Sequence, residues 1–303
     1  MVLILTILLP SAALAGGSVA LVIVWHACRR LRQTTLVAPC AWALGAIAAV
    51  MGAVAVDDVC GAARAVHIEY LAAVSTLAPF VALLGAKRPQ NRAWQWIVAA
   101  LLLLLALHSL KAMVIDRGAP PEPHLAWRWF LAILLLAELT NYSPTKNAAP
   151  AVLVFAGQVC LLADYLPLRV WSFEHRPDWG LFLLAVGILL AAERARRRTA
   201  SPATRAEVLS ENKASLDRVW LDFRDAYGAL WALRVADRMN TMARQQGWRI
   251  RLGWRGFRPI GRAESTIDPS SQQAAHRAFR AILSRFLQLE RSITRRQSCK
   301  CSL

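Results

Sequence analysis

Apolar residues run in long blocks through the first two thirds of the chain, then give way to a pattern in which they recur every three or four positions. The blocks are roughly Val2 to Ala27, Leu36 to Val56, Val66 to Ala86, Ala93 to Ile115, Trp127 to Asn141, Ala148 to Leu166 and Trp179 to Ala192. A helix needs about 20 apolar residues to cross a hydrocarbon layer about 30 Å thick. Each block crosses or nearly so, the fifth and seventh being shortest, and the pattern predicts a seven-helix transmembrane bundle over residues 1–193.

The connections between blocks alternate in charge. Arg29, Arg30 and Arg32 follow the first block, Lys87, Arg88 and Arg92 the third, Lys146 the fifth, and Arg194, Arg196, Arg197 and Arg198 the seventh. The other connections are nearly balanced, with Asp57, Asp58, Asp116, Glu122, Glu174 and Asp178 beside Arg64, Arg117, Arg128, Arg169 and Arg176. Cation excess marks the cytoplasmic side. The expected topology therefore has the N-terminus outside, seven spans and the C-terminus in the cytoplasm, in the cytoplasmic membrane of a bacterial cell. Trp25, Trp94, Trp96, Trp127, Trp129, Trp171 and Trp179 fall near the block ends, where amphipathic rings favour the headgroup layer. Ala13-Leu14-Ala15 resembles a cleavage site, but no cation precedes the first block and cleavage would leave too short a span, so an uncleaved anchor is expected. Ala41, Gly45, Ala49 and Ala53 repeat at helical spacing and predict a close-packing face on the second helix.

After Arg198 the pattern changes. Residues 194–204 read as a basic juxtamembrane linker and 205–303 as a small α+β module with two amphipathic helices and a short strand segment. Leu209, Leu216, Val219, Trp220, Phe223, Tyr227, Leu230, Trp231, Met239 and Met242 recur at helical steps, predicting one long helix that Gly247 can cap, weakened in its middle by Gly228. Trp248, Ile250, Leu252 and Trp254 then alternate with Arg249, Arg251, Gly253 and Arg255, which predicts a strand with one aromatic and one basic face, broken by Gly256, Pro259 and Gly261. Asp268-Pro269 opens a second helix whose Phe279, Ile282, Leu283, Phe286 and Ile293 share a stripe.

Composition sharpens this division. The net charge is +17. Residues 1–193 hold 13 Lys+Arg against 10 Asp+Glu and residues 194–303 hold 23 against 9, so 14 of the 17 charges lie in the tail. A basic tail tethered beneath a bilayer is always within reach of anionic headgroups. Only Lys87, Lys111, Lys146, Lys213 and Lys300 are lysines, an Arg bias that with abundant Ala reads in part as codon usage. Cys28, Cys40, Cys60, Cys160, Cys299 and Cys301 lack the paired spacings of a zinc site or a disulfide framework.

Ionisable groups inside spans are costly and are therefore the first candidates for chemistry. Asp57, Asp58, Arg64, His67 and Glu69 lie at the outer ends of the second and third blocks, with His108 and Lys111 near the outer end of the fourth. The outer cluster reads as a polar pocket for a proton path or a small ligand, or, with Asp57, Asp58, His67 and Glu69 as ligands, for a metal ion, or, with His67 and His108 as the pair, for a haem. Interfacial ion pairs and a snorkelling lysine explain the same residues without a ligand. Glu138, Asn141 and Asp164 are isolated polar residues in apolar surroundings, with Lys146 in reach of Glu138 as an interfacial partner. In the tail, Arg249, Arg251, Arg255, Arg258 and Arg262 with Trp248, Trp254 and Phe257 suit contact with an anionic membrane surface or an acidic protein, nucleic acid being the lesser alternative.

No P-loop, dinucleotide fingerprint, zinc-protease motif or haem-attachment motif is present in the sequence. The expected function is a non-enzymatic sensor, scaffold or assembly factor acting through the basic tail. A transporter or membrane redox protein built on Asp57, His67, Glu69 and His108 is the rival class, and a membrane-embedded enzyme using Asp57, Asp58, His67 and Glu69 a third.

Overall fold

The computed structural model describes residues 2–56, 62–87, 91–115, 121, 123–167, 175–199, 213–260 and 269–286. The chain divides into two compact units. The first comprises Met1–Arg32, Leu36–Ala86 and Gln90–Ala195, the second Gln33–Thr35, Lys87–Pro89 and Arg196–Leu303.

The helices of the first stretch of chain are α1 (Val2–Arg30), α2 (Val37–Val56), α3 (Ala62–Ser75), α4 (Ala78–Leu84), α5 (Asn91–Val114), α6 (Leu125–Tyr142), α7 (Ala148–Leu162) and α8 (Arg176–Thr199), with a 3-10 turn at Ala163–Tyr165. Among the described residues, five helical stretches are long and apolar enough to cross a membrane: Leu8–Arg30, Val37–Val56, Arg64–Leu84, Arg92–Val114 and Ala148–Tyr165. The two remaining expected spans fall on α6 and α8. These helices have 18 and 24 residues, and Arg128 and Glu138 in α6, and Asp178, Glu193 and the arginines from Arg194 in α8, dilute their apolar character. Both nevertheless supply core. Leu131 and Leu135 of α6 pack with Tyr70, Leu77, Leu105 and Leu162, and Leu181 of α8 packs with Ala13, Val50 and Ala72.

The third apolar block is not one helix. It breaks between α3 and α4, where the Thr76 and Leu77 amides bond three residues back to Ala73 and Val74. Pro79 brings no N–H to the first turn of α4, and the Ser75 and Thr76 hydroxyls donate to the Ala72 and Ala73 carbonyls at 2.6 Å each, competing with the helical pattern.

The close-packing face expected on α2 is met in part, with Ala53 in the core and Ala49 packed against it. Ala46, Ile47, Val50, Ala53 and Val54 are the buried residues of α2, whereas a Cβ on Gly45 would meet open space. Close approach occurs instead between α7 and α8. A Cβ on Gly157 would lie 2.8 Å from the Gly180 carbonyl oxygen, and one on Gly187 3.1 Å from that of Pro150. Small residues there let two backbones meet, and dispersion does the rest.

The second unit is built from α9 (Lys213–Gln245), the strands β1 (Ile250–Gly253) and β2 (Gly256–Pro259), and α10 (Pro269–Leu283). The expected single long helix is interrupted at Gly228, whose φ of 79° and ψ of −177° no helix contains and a Cβ disfavours. Leu216, Trp220, Phe223, Tyr227, Trp231, Val235 and Met239 keep one buried face across the break, because their steps of three and four residues continue through it. Gly247 ends the helix with φ 67°, its amide bonding to Arg244 and the Trp248 amide to Ala243, the paired bonds of a glycine C-cap.

Aromatic rings fill the core of this unit. Phe286 is edge-on to Phe223, Tyr227 and Trp231 at 5.1 to 5.3 Å, and Phe279 is edge-on to Phe257 at 5.3 Å. Burying such a side chain contributes about 1.5–3 kcal/mol. Thr35 also belongs to this unit, with its hydroxyl 3.1 Å from that of Tyr227 and its amide donating to the Phe286 carbonyl.

Candidate functional site

The basic segment of the tail is a hairpin rather than an isolated strand. β1 and β2 pair antiparallel with Ile250 opposite Pro259, Arg251 opposite Arg258, Leu252 opposite Phe257 and Gly253 opposite Gly256. Side chains alternate across the ribbon. Ile250, Leu252 and Phe257 are buried in the core, and Arg249, Arg251, Arg255 and Arg258 are exposed.

A two-stranded ribbon is marginal by itself and leaves two edges of unpaired amides and carbonyls. Helix α9 satisfies both edges. The Asn240 amide donates to the Leu252 carbonyl at 3.0 Å while its oxygen accepts from the Leu252 amide at 2.7 Å, so this side chain acts as a strand partner. On the other edge the Asp217 carboxylate accepts from the Phe257 amide at 2.7 Å. Gly256 has φ 124°, and a Cβ there would collide with that carboxylate, so glycine is required on two counts.

The turn is held as well. Arg224 donates to the Trp254 carbonyl at 2.9 Å, lies 4.9 Å from the Trp254 ring centroid and pairs with Asp225 at 2.8 Å, both members of the pair being buried. The outcome is a fixed ribbon presenting four guanidinium groups, none of which has an acidic partner among the described residues. Arg262 lies outside the described residues.

In the first unit, the expected outer cluster divides. Asp57 and Asp58 lie outside the described residues. His67 is buried, with Nδ1 3.0 Å from the Ser109 hydroxyl and Nε2 without a hydrogen-bond partner among the described residues. His108 is edge-on to Trp127 at 5.2 Å. Glu69 lines a narrow cleft with Cys160, Asp164, Tyr165 and Arg176, and Arg176 pairs with Asp164. His67 and Glu69 are two residues apart on α3 and so point to roughly opposite sides. Among the described residues, no three His, Cys, Asp or Glu side chains converge as metal ligands would.

Gln158 is the polar residue that sequence reasoning passed over. It is buried on α7, and its amide nitrogen donates both to the Thr76 carbonyl at the α3–α4 break, at 3.1 Å, and to a Glu138 carboxylate oxygen at 3.0 Å. Glu138 thus meets Gln158 rather than the expected Lys146, whose carbonyl accepts from Arg194. A lone amide in the otherwise apolar run Ala148–Leu162 is the signal that was available. Asn240 and Asp217 carry no such signal, since both read as solvated positions on α9.

Comparison of the chain with protein-family models, curated proteins and solved structures yields no match.

Proposed function

We propose that the chain is a multi-pass protein of the cytoplasmic membrane in which α6 and α8 join the five most apolar stretches to make seven spans. The N-terminus is outside, and the basic tail works in the cytoplasm as the contact surface of a sensor, scaffold or assembly factor. The tail meets anionic lipid headgroups, or an acidic protein held near them, through Arg249, Arg251, Arg255 and Arg258, with Arg262 following.

One observation carries this reading: four guanidiniums with no acidic partner among the described residues sit on a ribbon whose inner face is core and whose edges are tied to α9. A negative leaflet attracts each nearby cation by about 1 kcal/mol. Ile260 favours a lipid surface over a purely aqueous anion. Its amide donates to the Arg249 carbonyl, which places it on the arginine side of the ribbon, and it is 54 % exposed. The test is hydrogen exchange of the hairpin amides in the full-length protein, in bilayers with and without anionic lipid. Protection that requires anionic lipid and disappears when Arg249, Arg251 and Arg255 are all replaced by Gln supports the reading; exchange indifferent to lipid charge overturns it.

A second reading, a transporter, draws on a different observation. Interrupted helices that offer a backbone carbonyl beside a carboxylate inside a bundle suit ion handling, and Thr76, Gln158 and Glu138 form such a group. Cation-driven flux in proteoliposomes that is abolished by Glu138→Gln would favour it over the scaffold.

A further inference from the structure

We propose that Arg251 and Arg258 form a two-pronged clamp for a phosphomonoester headgroup of a membrane lipid, with Arg249 as a third donor and Ile260 resting on the apolar part of the same lipid. This rests on the anionic-surface reading above and narrows it from a diffuse field to a discrete site.

Three features of the hairpin carry the inference. Arg251 and Arg258 are direct cross-strand partners, and Cβ atoms so placed stand about 5 Å apart. Two arginine side chains rooted at that spacing share one exposed face, and like charges in that position repel in the absence of an anion. The ribbon cannot relax the repulsion by splaying, because Asn240 fixes the β1 edge and Asp217 the β2 edge. Finally, Arg249, immediately before β1 and two residues from Arg251, falls on the same exposed face, and the neighbour across from it is the exposed apolar Ile260.

The chemistry selects the ligand. A guanidinium is a planar fork that binds two oxygens at once, whereas an ammonium is a point charge. A phosphomonoester offers three terminal oxygens and a charge of about −1.5 to −2, enough to engage both forks together. A phosphodiester headgroup offers two terminal oxygens and one charge and saturates a single fork. The exposed isoleucine beside the cations places the lipid's glycerol or acyl portion at the same face, which a free phosphate would leave unused.

The test is calorimetric titration of the full-length protein in a non-ionic detergent with three probes: short-chain phosphatidic acid, short-chain phosphatidylglycerol and glycerol 3-phosphate. The expected result is phosphatidic acid binding about tenfold more tightly than phosphatidylglycerol, with glycerol 3-phosphate weaker than phosphatidic acid. Arg251→Lys with Arg258→Lys keeps the charge and is expected to erase the preference while both lipids still bind. Arg238→Lys, at an exposed position on α9, leaves the preference intact. Equal binding of the two lipids by the wild type, or a preference that survives the double lysine variant, overturns the clamp and leaves the diffuse contact standing. Glycerol 3-phosphate binding as tightly as phosphatidic acid overturns the lipid as the source of the phosphate. Absence of binding to all three probes removes the clamp and the anionic-surface reading together.

Discussion

Arg251 stands directly opposite Arg258 on the exposed face of the β1–β2 hairpin. Two like charges in that position oppose each other by about 0.2–1 kcal/mol. Arg258→Gln is therefore expected to stabilise the tail slightly in a zwitterionic detergent at low salt while weakening its anion contact. Denaturant titration followed by tail tryptophan fluorescence checks the first effect and lipid titration the second; a destabilised variant would show that the arginine supports the fold.

Asn240 replaces a missing strand, and its loss leaves both backbone groups of Leu252 without that partner. Asn240→Ala is expected to cost about 1–3 kcal/mol and to speed exchange of the Leu252 amide before the rest of the unit opens. Asn240→Asp keeps the acceptor but not the donor and is expected to fall between the two. An unchanged Leu252 exchange rate in Asn240→Ala would mean the edge is held by something else.

Gln158 ties the α3–α4 break to Glu138. Gln158→Leu removes a donor from the Thr76 carbonyl and from a Glu138 carboxyl oxygen, and a buried polar group left unsatisfied costs about 1–3 kcal/mol. The variant is expected to melt earlier in detergent. Combined with Glu138→Leu, the two losses should be clearly less than additive, because the second substitution removes the group left stranded by the first; strict additivity would separate the residues energetically.

The sulfur of Cys28, in the last turn of α1, lies 3.8 Å from the carbonyl oxygen of Val37, in the same first turn of α2 that carries Cys40. Mild oxidation by a small-molecule disulfide is expected to link the two cysteines within one chain, releasing two equivalents of reduced thiol. Peptide mapping by mass spectrometry reads the link, and a failure to form it in the folded protein would contradict the packing of α1 on α2.

The sequence made some of this legible and concealed the rest for physical reasons. Hydropathy marks where helices are, and all seven apolar blocks carry helices. It does not register a break, because Thr76 and Pro79 barely change the average apolar character while removing the helical hydrogen-bond pattern. Period-two alternation exposed β1 and its basic face. β2 was hidden because Gly256 and Pro259 look like breakers, and its pairing depends on Asn240 and Asp217, both of α9, meeting the two edges of the ribbon. Gly228 was visible as a weak point, but a positive φ is a property of the fold around it. The outer polar residues were close in sequence, and helical geometry then turned His67 toward Ser109 and Glu69 toward Asp164, Tyr165 and Arg176.

The most direct measurement of the central claim places one cysteine at Ile260→Cys, among the exposed arginines, in the full-length protein with Cys28, Cys40, Cys60, Cys160, Cys299 and Cys301 replaced by Ser. A membrane-impermeant maleimide is applied to right-side-out and inside-out vesicles of the native membrane at low and high salt. The account predicts labelling only in inside-out vesicles, and faster labelling at 1 M than at 0.1 M salt, because the screening length falls from about 10 Å to about 3 Å and releases the hairpin from the leaflet. Labelling from the outside, or a rate from the inside that ignores salt, would contradict it.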